Sequence, residues 1–277
     1  MSCPALLEFD LQLLKVAPLH TIAAQFYHAF YKNEWRGADD WDLRALSISD
    51  AYEVQRLIAE QRVEAGERIV GYKVGCTSAA IQAQFGLDEP ICGRLFAPHV
   101  QEEGARLDWS SYANCAIEPE MVLKIGRDVQ GNDLSDQELL DSIDFVSPGI
   151  EIHNFKFWQG TPTIQELICS GGIHAGLIIG KSKIAPQTLD FRDEVFSVYT
   201  NDEIVTSAPA SEIMEGPLHS LRWLVNFLTA RGESLKKGAW IIPGSPTELI
   251  EINRDTELKV VIDRVGSVVA RFEKPPS

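Results

Sequence analysis

Short hydrophobic runs follow one another from Ile69 to the end of the chain, and most are too short for a helix of ordinary length. They read RIVGYKVG, AIEPEMVLKIG, FVSPGIEI, HAGLIIG, EVFSVYTN, AWIIPGS, ELKVVIDRV and SVVARFE. They predict β-strands, and the last two, on either side of Gly266, predict a hairpin. Because the strands do not alternate regularly with helices, a doubly wound parallel sheet is disfavoured. The pattern predicts an α+β fold.

The residues before these strands have a helical pattern instead. Apolar residues in HTIAAQFYHAFYKNEW recur at helical spacing. The polar stretch 33–46 predicts a loop, and a second helix is predicted to begin at Asp50, with Glu53 completing a capping-box-like pair. We therefore expect two parts, a helical N-terminal part, 1–70, and a β-rich domain that carries the site, 71–277.

The charge of the chain limits its partners. Its 277 residues carry a formal net charge of −15 with no basic stripe, so neither nucleic acid nor an anionic membrane surface is an expected partner. No run approaches the roughly 20 apolar residues that span a bilayer. The five scattered cysteines form no CxxC pair and the first residues lack a basic leader, so we expect reduced thiols in a cytoplasmic protein. A site for an anionic substrate must then supply its own positive charge.

Three carboxylates lie inside β-like runs. Glu118 and Glu120 are two residues apart, so both side chains project from one face of a strand. Pro119 between them removes a ladder donor, which predicts an edge strand or a bulge. Like charges on one face repel, and a divalent cation shared with Glu151 would relieve the repulsion. Three carboxylates suit Mg²⁺ or Mn²⁺, although the same residues are also compatible with a solvated strand face.

One lysine lies in an unusual setting. Lys73 is boxed between Gly71 and Gly75 at the end of a predicted strand, in the run GYKVG. It is either a solvated strand residue or a cation placed for chemistry. The run alone does not decide between the two.

Longer stretches of the chain resemble a known family. The stretch SDAYEVQRLIAEQRVEAGERIVGYKVGCTSAAIQAQFGLDEPICGRLFA resembles the start of the 2-keto-4-pentenoate hydratase family, which also contains the 4-oxalocrotonate decarboxylases and belongs to the fumarylacetoacetate hydrolase superfamily. Further matches follow in order: AIEPEMVLKIGRDV, GIEIHNFKF, HAGLIIG, HSLRWLVNFLTARGESLKKG and AWIIPGSPTE. Nearly the whole chain takes part in the resemblance.

The resemblance implies a fumarylacetoacetate hydrolase-like mixed β-roll with a helical N-terminal part, and a protein that forms homo-oligomers. It implies Mg²⁺ or Mn²⁺ bound by Glu118, Glu120 and Glu151, with Lys73 as a catalytic residue. Family substrates are small anionic 2-oxo acids or their enols, which a metal can chelate through the carboxylate and the 2-oxo oxygen. Lys73 would stabilise charge on that oxygen or move a proton.

The chain also departs from the family pattern. Many related hydratases have an aspartate shortly after the G-x-L-F run, where this chain has Pro98 and His99. Many also have an Asp-Asn pair before the strand matching HAGLIIG, where this chain offers Ser170 and His174. His174 and His153 are candidates to move protons in place of these aspartates, since histidine titrates near neutrality. Each is otherwise a structural, hydrogen-bonded histidine.

Two further residues are candidates for substrate binding. Arg94 in CGRLF can hold an anionic group, and Ser245 in the turn of IIPGSPT can offer a hydroxyl or backbone N–H to a carboxylate. A surface arginine and an ordinary turn are the simpler interpretations. No G-x-S-x-G motif is present, and Cys76 has no base near it in sequence.

The function implied first is a metal-dependent hydratase that converts a 2-hydroxy-2,4-dienoate to a 4-hydroxy-2-oxo acid. A decarboxylase acting on an oxalocrotonate-type diacid uses the same enol chemistry and stays open, as does the more distant C–C hydrolysis of an acylpyruvate. The alternative from another class is a metal-binding paralogue or partner subunit with little turnover. The missing aspartates motivate that alternative.

Overall fold

The computed structural model describes residues 18–32, 43–155 and 162–275. Helical segments concentrate at the start of the described chain, as the sequence predicts. Phe26 and the residues before it form a regular helix that continues as one π-helical stretch, Tyr27–Tyr31. The α-helices are α1 (Leu19–Phe26), α2 (Ile48–Glu64), α3 (Ala79–Phe85), α4 (Asp136–Leu140), α5 (Ile164–Cys169) and α6 (Pro217–Ala230).

Thirteen strands of the described chain make two sheets, and every hydrophobic run quoted above contributes one strand. The strands are β1 (Ile69–Gly75), β2 (Ile91–Phe96), β3 (Val100–Glu102), β4 (Arg106–Leu107), β5 (Cys115–Ile125), β6 (Ile143–Asn154), β7 (His174–Ile179), β8 (Val195–Thr200), β9 (Glu203–Pro209), β10 (Trp240–Ile242), β11 (Ile250–Glu251), β12 (Thr256–Ile262) and β13 (Gly266–Phe272).

The larger sheet has the order β2-β1-β10-β5-β6-β7-β3, with β11 also paired to β5, and the smaller one has the order β4-β13-β12-β8-β9. Most neighbours are antiparallel, while β1–β10, β3–β7 and β4–β13 are parallel. The mixed sheets confirm an α+β fold. The predicted hairpin is confirmed by the antiparallel register of β12 and β13.

The main hydrophobic core lies between the two sheets and α6. Ile117, Met121 and Leu123 of β5 are fully buried in it together with Leu221 and Leu224 of α6. These β5 residues alternate with the glutamates, so the strand presents an apolar face to the core and a carboxylate face to the other side. Burial of the apolar face therefore determines where the carboxylates point.

The expectation that β5 is an edge strand is wrong, because it pairs with β6 along its whole length and with β10 and β11 on its other side. The pairing with β10 covers Leu123 and Lys124, and the pairing with β11 covers Ala116 and Ile117. Pro119 falls between these two contacts, where β5 has no strand neighbour on that side. An interior strand can thus contain proline because its partner strand is interrupted there.

The N-terminal helices share a core with a later element. Phe26 of α1 and Val54 and Ile58 of α2 pack in one cluster with Leu167 and Ile168 of α5. The division near residue 70 stays a prediction. None of the helices in the described ranges is both long and apolar enough to cross a membrane.

The start of α2 differs from the expectation. Ser47 is the N-cap, and its side chain accepts the backbone N–H of Asp50 at 3.0 Å, so Asp50 lies inside the first turn. Ser47 is the cap because its hydroxyl accepts a hydrogen bond from a backbone N–H that has no partner within the helix. The Asp50 carboxylate still stabilises the helix from the first turn, since it lies near the positive end of the helix dipole. The predicted loop 33–46 is described only from Leu43, where Leu43–Ala45 form a 3₁₀ turn.

Gly71 allows β1 to lie against β10, and this contact yields a stability prediction. A Cβ atom at Gly71 would lie 1.8 Å from the carbonyl oxygen of Trp240, a backbone atom that no rotamer change can move. We expect Gly71→Ala to lower the free energy of unfolding by at least about 3 kcal/mol in urea titrations. Gly126→Ala is the control, since its Cβ would come no closer than 3.3 Å to Asp144. Equal stability of the two variants would contradict the prediction.

Candidate active site

Three glutamates meet on the carboxylate face of the larger sheet. Glu118 of β5 lies directly opposite Glu151 of β6 in the antiparallel register, and Glu120 follows two residues along β5. Glu120 and Glu151 are fully buried, while the Glu118 side chain retains 22% of its exposure. The two-residue spacing predicts the shared face of Glu118 and Glu120, the resemblance implies Glu151, and the register brings Glu151 opposite Glu118.

Lys73 reaches this cluster from β1. Three strand spacings separate β1 from β6 in the sheet, which would be about 14 Å if the sheet were flat. Lys73 Nζ nevertheless lies 2.6 Å from Glu151 Oε1. Gly93 of β2 also lies against Gly171, just before β7, although five strand spacings separate these two strands in the sheet. The sheet therefore curls strongly, and the site lies on the concave side of the curl.

Glycines beyond those in the GYKVG run make room for the lysine side chain. Gly93 lies opposite Lys73 on β2, and a Cβ there would come 2.9 Å from Lys73 Cγ. Gly172, at φ +76°, accepts a hydrogen bond from Lys73 Nζ through its carbonyl at 3.2 Å. A Cβ at Gly172 would lie 3.1 Å from Nζ. The lysine is thus held in a channel of backbone atoms.

Lys73 and Glu151 form a buried ion pair. Burial alone lowers the pKa of Lys73, but Glu151 and Glu118 outweigh it and raise that pKa above its usual value. Burial alone raises the pKa of Glu151, but Lys73 and the histidines hold it well below its usual range. Both groups are therefore charged at neutral pH. Because so little water reaches them, each depends on the other to stay charged.

Two histidines also contact the carboxylates. His174 Nδ1 lies 2.7 Å from Glu151 Oε1, and His153 Nε2 lies 2.9 Å from Glu118 Oε2. Burial lowers the pKa of His174 to about 4, so the ring is neutral at pH 7 and Nδ1–H donates to Glu151. His174 Nε2 then carries a lone pair, and it is buried without a hydrogen-bond partner among the described residues.

Unpaired buried oxygens mark the cluster as a place for a cation. Glu120 Oε1 and Glu151 Oε2 are buried and have no hydrogen-bond partner in the described part of the chain. Burial, together with Glu151 and Glu118, raises the pKa of Glu120 well above its usual value. The remaining Glu120 oxygen accepts the N–H of Gly244 at 3.2 Å. A lone pair in a buried carboxylate requires either a proton or a positive charge.

Two sets of residues can bind a divalent ion here. Ligand atoms of Glu118, Glu151 and His153 lie within 4.8 Å of one another. Glu120 is outside that set, yet its unpaired oxygen is fully buried, and leaving a buried carboxylate oxygen without a partner costs free energy. A hard ion prefers carboxylate oxygen to imidazole, so the three glutamates are the better set for Mg²⁺ or Mn²⁺, with His153 orienting Glu118.

Arg94 and Ser245 are not part of the cluster. Arg94 lies opposite Tyr72, on the face of the sheet away from Lys73, and bonds Gln55 at 2.8 Å and Glu233 at 3.0 Å. The Ser245 hydroxyl accepts the N–H of Thr247 within its own turn at 3.2 Å. Their predicted role in substrate binding therefore has no support from these contacts and stays a prediction.

A cavity of about 210 Å³ opens beside the cluster. The residues that line it include His174, Tyr112, Asn154, Arg62 and His99. His99 occupies one of the positions where the sequence departs from the family pattern. Sequence reasoning did not single out Arg62, although its position four residues after Ile58 continues the buried face of α2 and could have marked it.

The sequence is similar over most of its length to hydratases and decarboxylases of short oxo acids. No family model matches it. It is 26% identical to the 2-keto-4-pentenoate hydratase of Paraburkholderia xenovorans strain LB400, over 82% of this chain and 85% of that protein. It is 28% identical to a 4-oxalocrotonate decarboxylase of Pseudomonas putida, over 83% and 88%. The 2-oxo-hept-4-ene-1,7-dioate hydratase of Escherichia coli is 26% identical over 91% and 97%.

The family resemblance predicted from the sequence is thereby confirmed. Among solved structures, the 4-oxalocrotonate decarboxylase of Pseudomonas putida G7, complexed with magnesium and adipate, superposes with a TM-score of 0.86 at 26% identity over 92% of this chain and 97% of that one. Fumarylpyruvate hydrolase of Pseudomonas aeruginosa, at 18% identity and a TM-score of 0.57 over 73% and 88%, shares the fold. These superpositions confirm the predicted fumarylacetoacetate hydrolase-like fold of this chain.

The dependence of Glu151 on Lys73 can be measured in a double-mutant cycle. We expect Lys73→Met to lower the free energy of unfolding by about 3–5 kcal/mol in EDTA, because it strands a buried carboxylate. Adding Glu151→Gln should recover about 1–3 kcal/mol of that loss in urea titrations. The exposed pair Lys236 and Asp128, 3.2 Å apart, is the control and should show no measurable coupling. Additive effects of Lys73→Met and Glu151→Gln would contradict the ion-pair account.

Proposed function

We propose that the protein is a metal-dependent hydro-lyase that adds water to a 2-hydroxy-2,4-dienoate and gives a 4-hydroxy-2-oxo acid. The observation that carries the proposal is the buried cluster in which Lys73 Nζ lies 2.6 Å from Glu151, next to carboxylate oxygens that lack partners. The names of the relatives, hydratases and decarboxylases of short oxo acids, support it.

The metal proposed is Mg²⁺ or Mn²⁺, bound by Glu118, Glu120 and Glu151. The donor set fits a hard ion because it is made of carboxylates, two of which keep a buried oxygen free. The solved relative contains magnesium, and the fold neighbour contains manganese. When bound, such an ion acts as a Lewis acid toward a 2-oxo acid.

The chain's own residues would share the proton transfers. His174 Nε2 is the base with a free lone pair, and it would accept the proton of the 2-hydroxyl group. Lys73, whose ammonium group is buried, would stabilise the negative charge that develops on that oxygen. The conjugated system takes up a proton at its far carbon, and water then adds across the remaining double bond with its hydroxyl at C4 and a proton at C3. His153 would hold Glu118 in place.

Decarboxylation of an oxalocrotonate-type diacid is the second candidate. It is favoured by the 28% identity to a 4-oxalocrotonate decarboxylase and by the TM-score of 0.86 to a solved 4-oxalocrotonate decarboxylase. Both reactions use the same enol chemistry, so the cluster serves either. In both cases the partner is a small anionic 2-oxo acid. Self-association, which the resemblance implies, and a cytoplasmic location stay predictions, as does the rival of a paralogue with little turnover.

A mass-spectrometric assay tests the activity directly. We expect purified protein with Mg²⁺ or Mn²⁺ to add one water to 2-hydroxypenta-2,4-dienoate, and excess EDTA to abolish the reaction. Loss of CO₂ from 2-oxohex-3-enedioate under the same conditions would establish the decarboxylase instead. Protein that binds metal yet changes neither compound would reject both reactions and favour the paralogue with little turnover.

The proposed ligands are tested by metal affinity. We expect the double variant Glu118→Gln, Glu120→Gln to bind Mn²⁺ at least about 100-fold more weakly in calorimetric titrations, because it removes two of three anionic ligands. The double variant Glu203→Gln, Glu257→Gln removes two charges from the smaller sheet and should bind Mn²⁺ like the wild type. Wild-type affinity in the first variant would exclude these glutamates as ligands.

A further inference from the structure

Arg62 of α2 is a buried cation that the proposed chemistry does not use. Its side chain retains 4% of its exposure, and it lines the cavity that also contacts His174. The guanidinium carbon lies 3.6 Å from the ring centre of Phe96 and 4.3 Å from that of Tyr31. Two aromatic rings thus fix the position of a charge that has little access to water.

The salt bridge with Glu67 leaves the guanidinium with capacity for another acceptor. Nη2 and Nε of Arg62 donate to a single Glu67 oxygen, at 2.6 and 3.0 Å, whereas a guanidinium has five N–H donors. His99 Nε2 lies 3.9 Å from the same Glu67 oxygen. Planar guanidinium groups in such settings bind carboxylates in a defined orientation.

The cavity is lined by both this cation and His174 of the cluster. A single water requires roughly 10–15 Å³ of such space, and the cavity provides about 210 Å³. This space is enough for a chain of several carbons, and both His174 and Arg62 line it. A substrate bound at the cluster through its 2-oxo acid end would extend its other end toward Arg62.

We propose that Arg62 binds the second carboxylate of the substrate, so that the enzyme prefers dicarboxylic oxo acids to monocarboxylic ones. This inference rests on the proposed function, since it takes the cluster as the site of the first carboxylate. The rival role for Arg62 is purely structural, as a clamp between α2 and β2. A clamp would affect folding but would not distinguish a diacid from a monoacid of equal length.

The test measures binding, so it does not require turnover. Adipate and hexanoate, which differ in the second carboxylate, are titrated calorimetrically into the protein with Mg²⁺. We expect the wild type to bind adipate at least about tenfold more tightly, and Arg62→Gln to lose this preference. Arg56→Gln, an exposed arginine on the same helix that pairs with Glu53 and Glu60, is the control and should keep it. No preference in the wild type, or an unchanged preference in Arg62→Gln, would overturn the inference.

A second variant decides the matter if Arg62→Gln does not fold. Glu67→Gln removes the carboxylate that competes for Arg62 and should tighten adipate binding by about threefold or more, with hexanoate unchanged. Unchanged or weaker adipate binding would count against the proposal. An Arg62-dependent adipate preference in a protein that transforms no dienoate or enedioate would support the diacid site and reject the proposed reaction. Turnover of a dienoate or enedioate without any preference for adipate would support the proposed reaction and reject the diacid site.

Discussion

The ion pair between Lys73 and Glu151 is the interaction on which the architecture of the site depends. Its partners come from strands three spacings apart, and the curl of the sheet brings their side chains together. Gly71 permits the close approach of β1 to β10, and Gly93 and Gly172 leave space for the lysine. The buried ion pair thus depends on a backbone that these glycines allow to pack closely around Lys73.

The cluster has more negative than positive charge unless a further cation is bound. Lys73 supplies one positive charge against three carboxyl groups, and the neutral His174 adds none. The raised pKa of Glu120 expresses this imbalance, because its charged form faces both burial and the neighbouring carboxylates. A divalent ion would supply the missing charge and satisfy the free oxygens. The excess of negative charge in the cluster would therefore favour tight binding of such an ion.

The sequence predicted the members of the cluster better than their surroundings, while the roles of these residues stay predictions. The two-residue spacing of Glu118 and Glu120 determines their common face, and the resemblance supplied Lys73 and Glu151. The interior position of β5 could not be predicted, since Pro119 indicates an edge unless the interruption between β10 and β11 is known. Hydrogen bonds from Gly244 and contacts around Arg62 depend on distant loops and helices, and no local pattern encodes them.

The position of Arg62 also bears on the choice between the two reactions. A cation paired with a carboxylate stabilises it in the ground state more than it stabilises departing, neutral CO₂. A distal carboxylate held by Arg62 would therefore resist decarboxylation while leaving the enol chemistry at the other end unaffected. Glu67 moderates this effect because it shares the same guanidinium. On these physical grounds, an enzyme that binds a diacid in this way is better suited to hydrating it than to removing its second carboxylate.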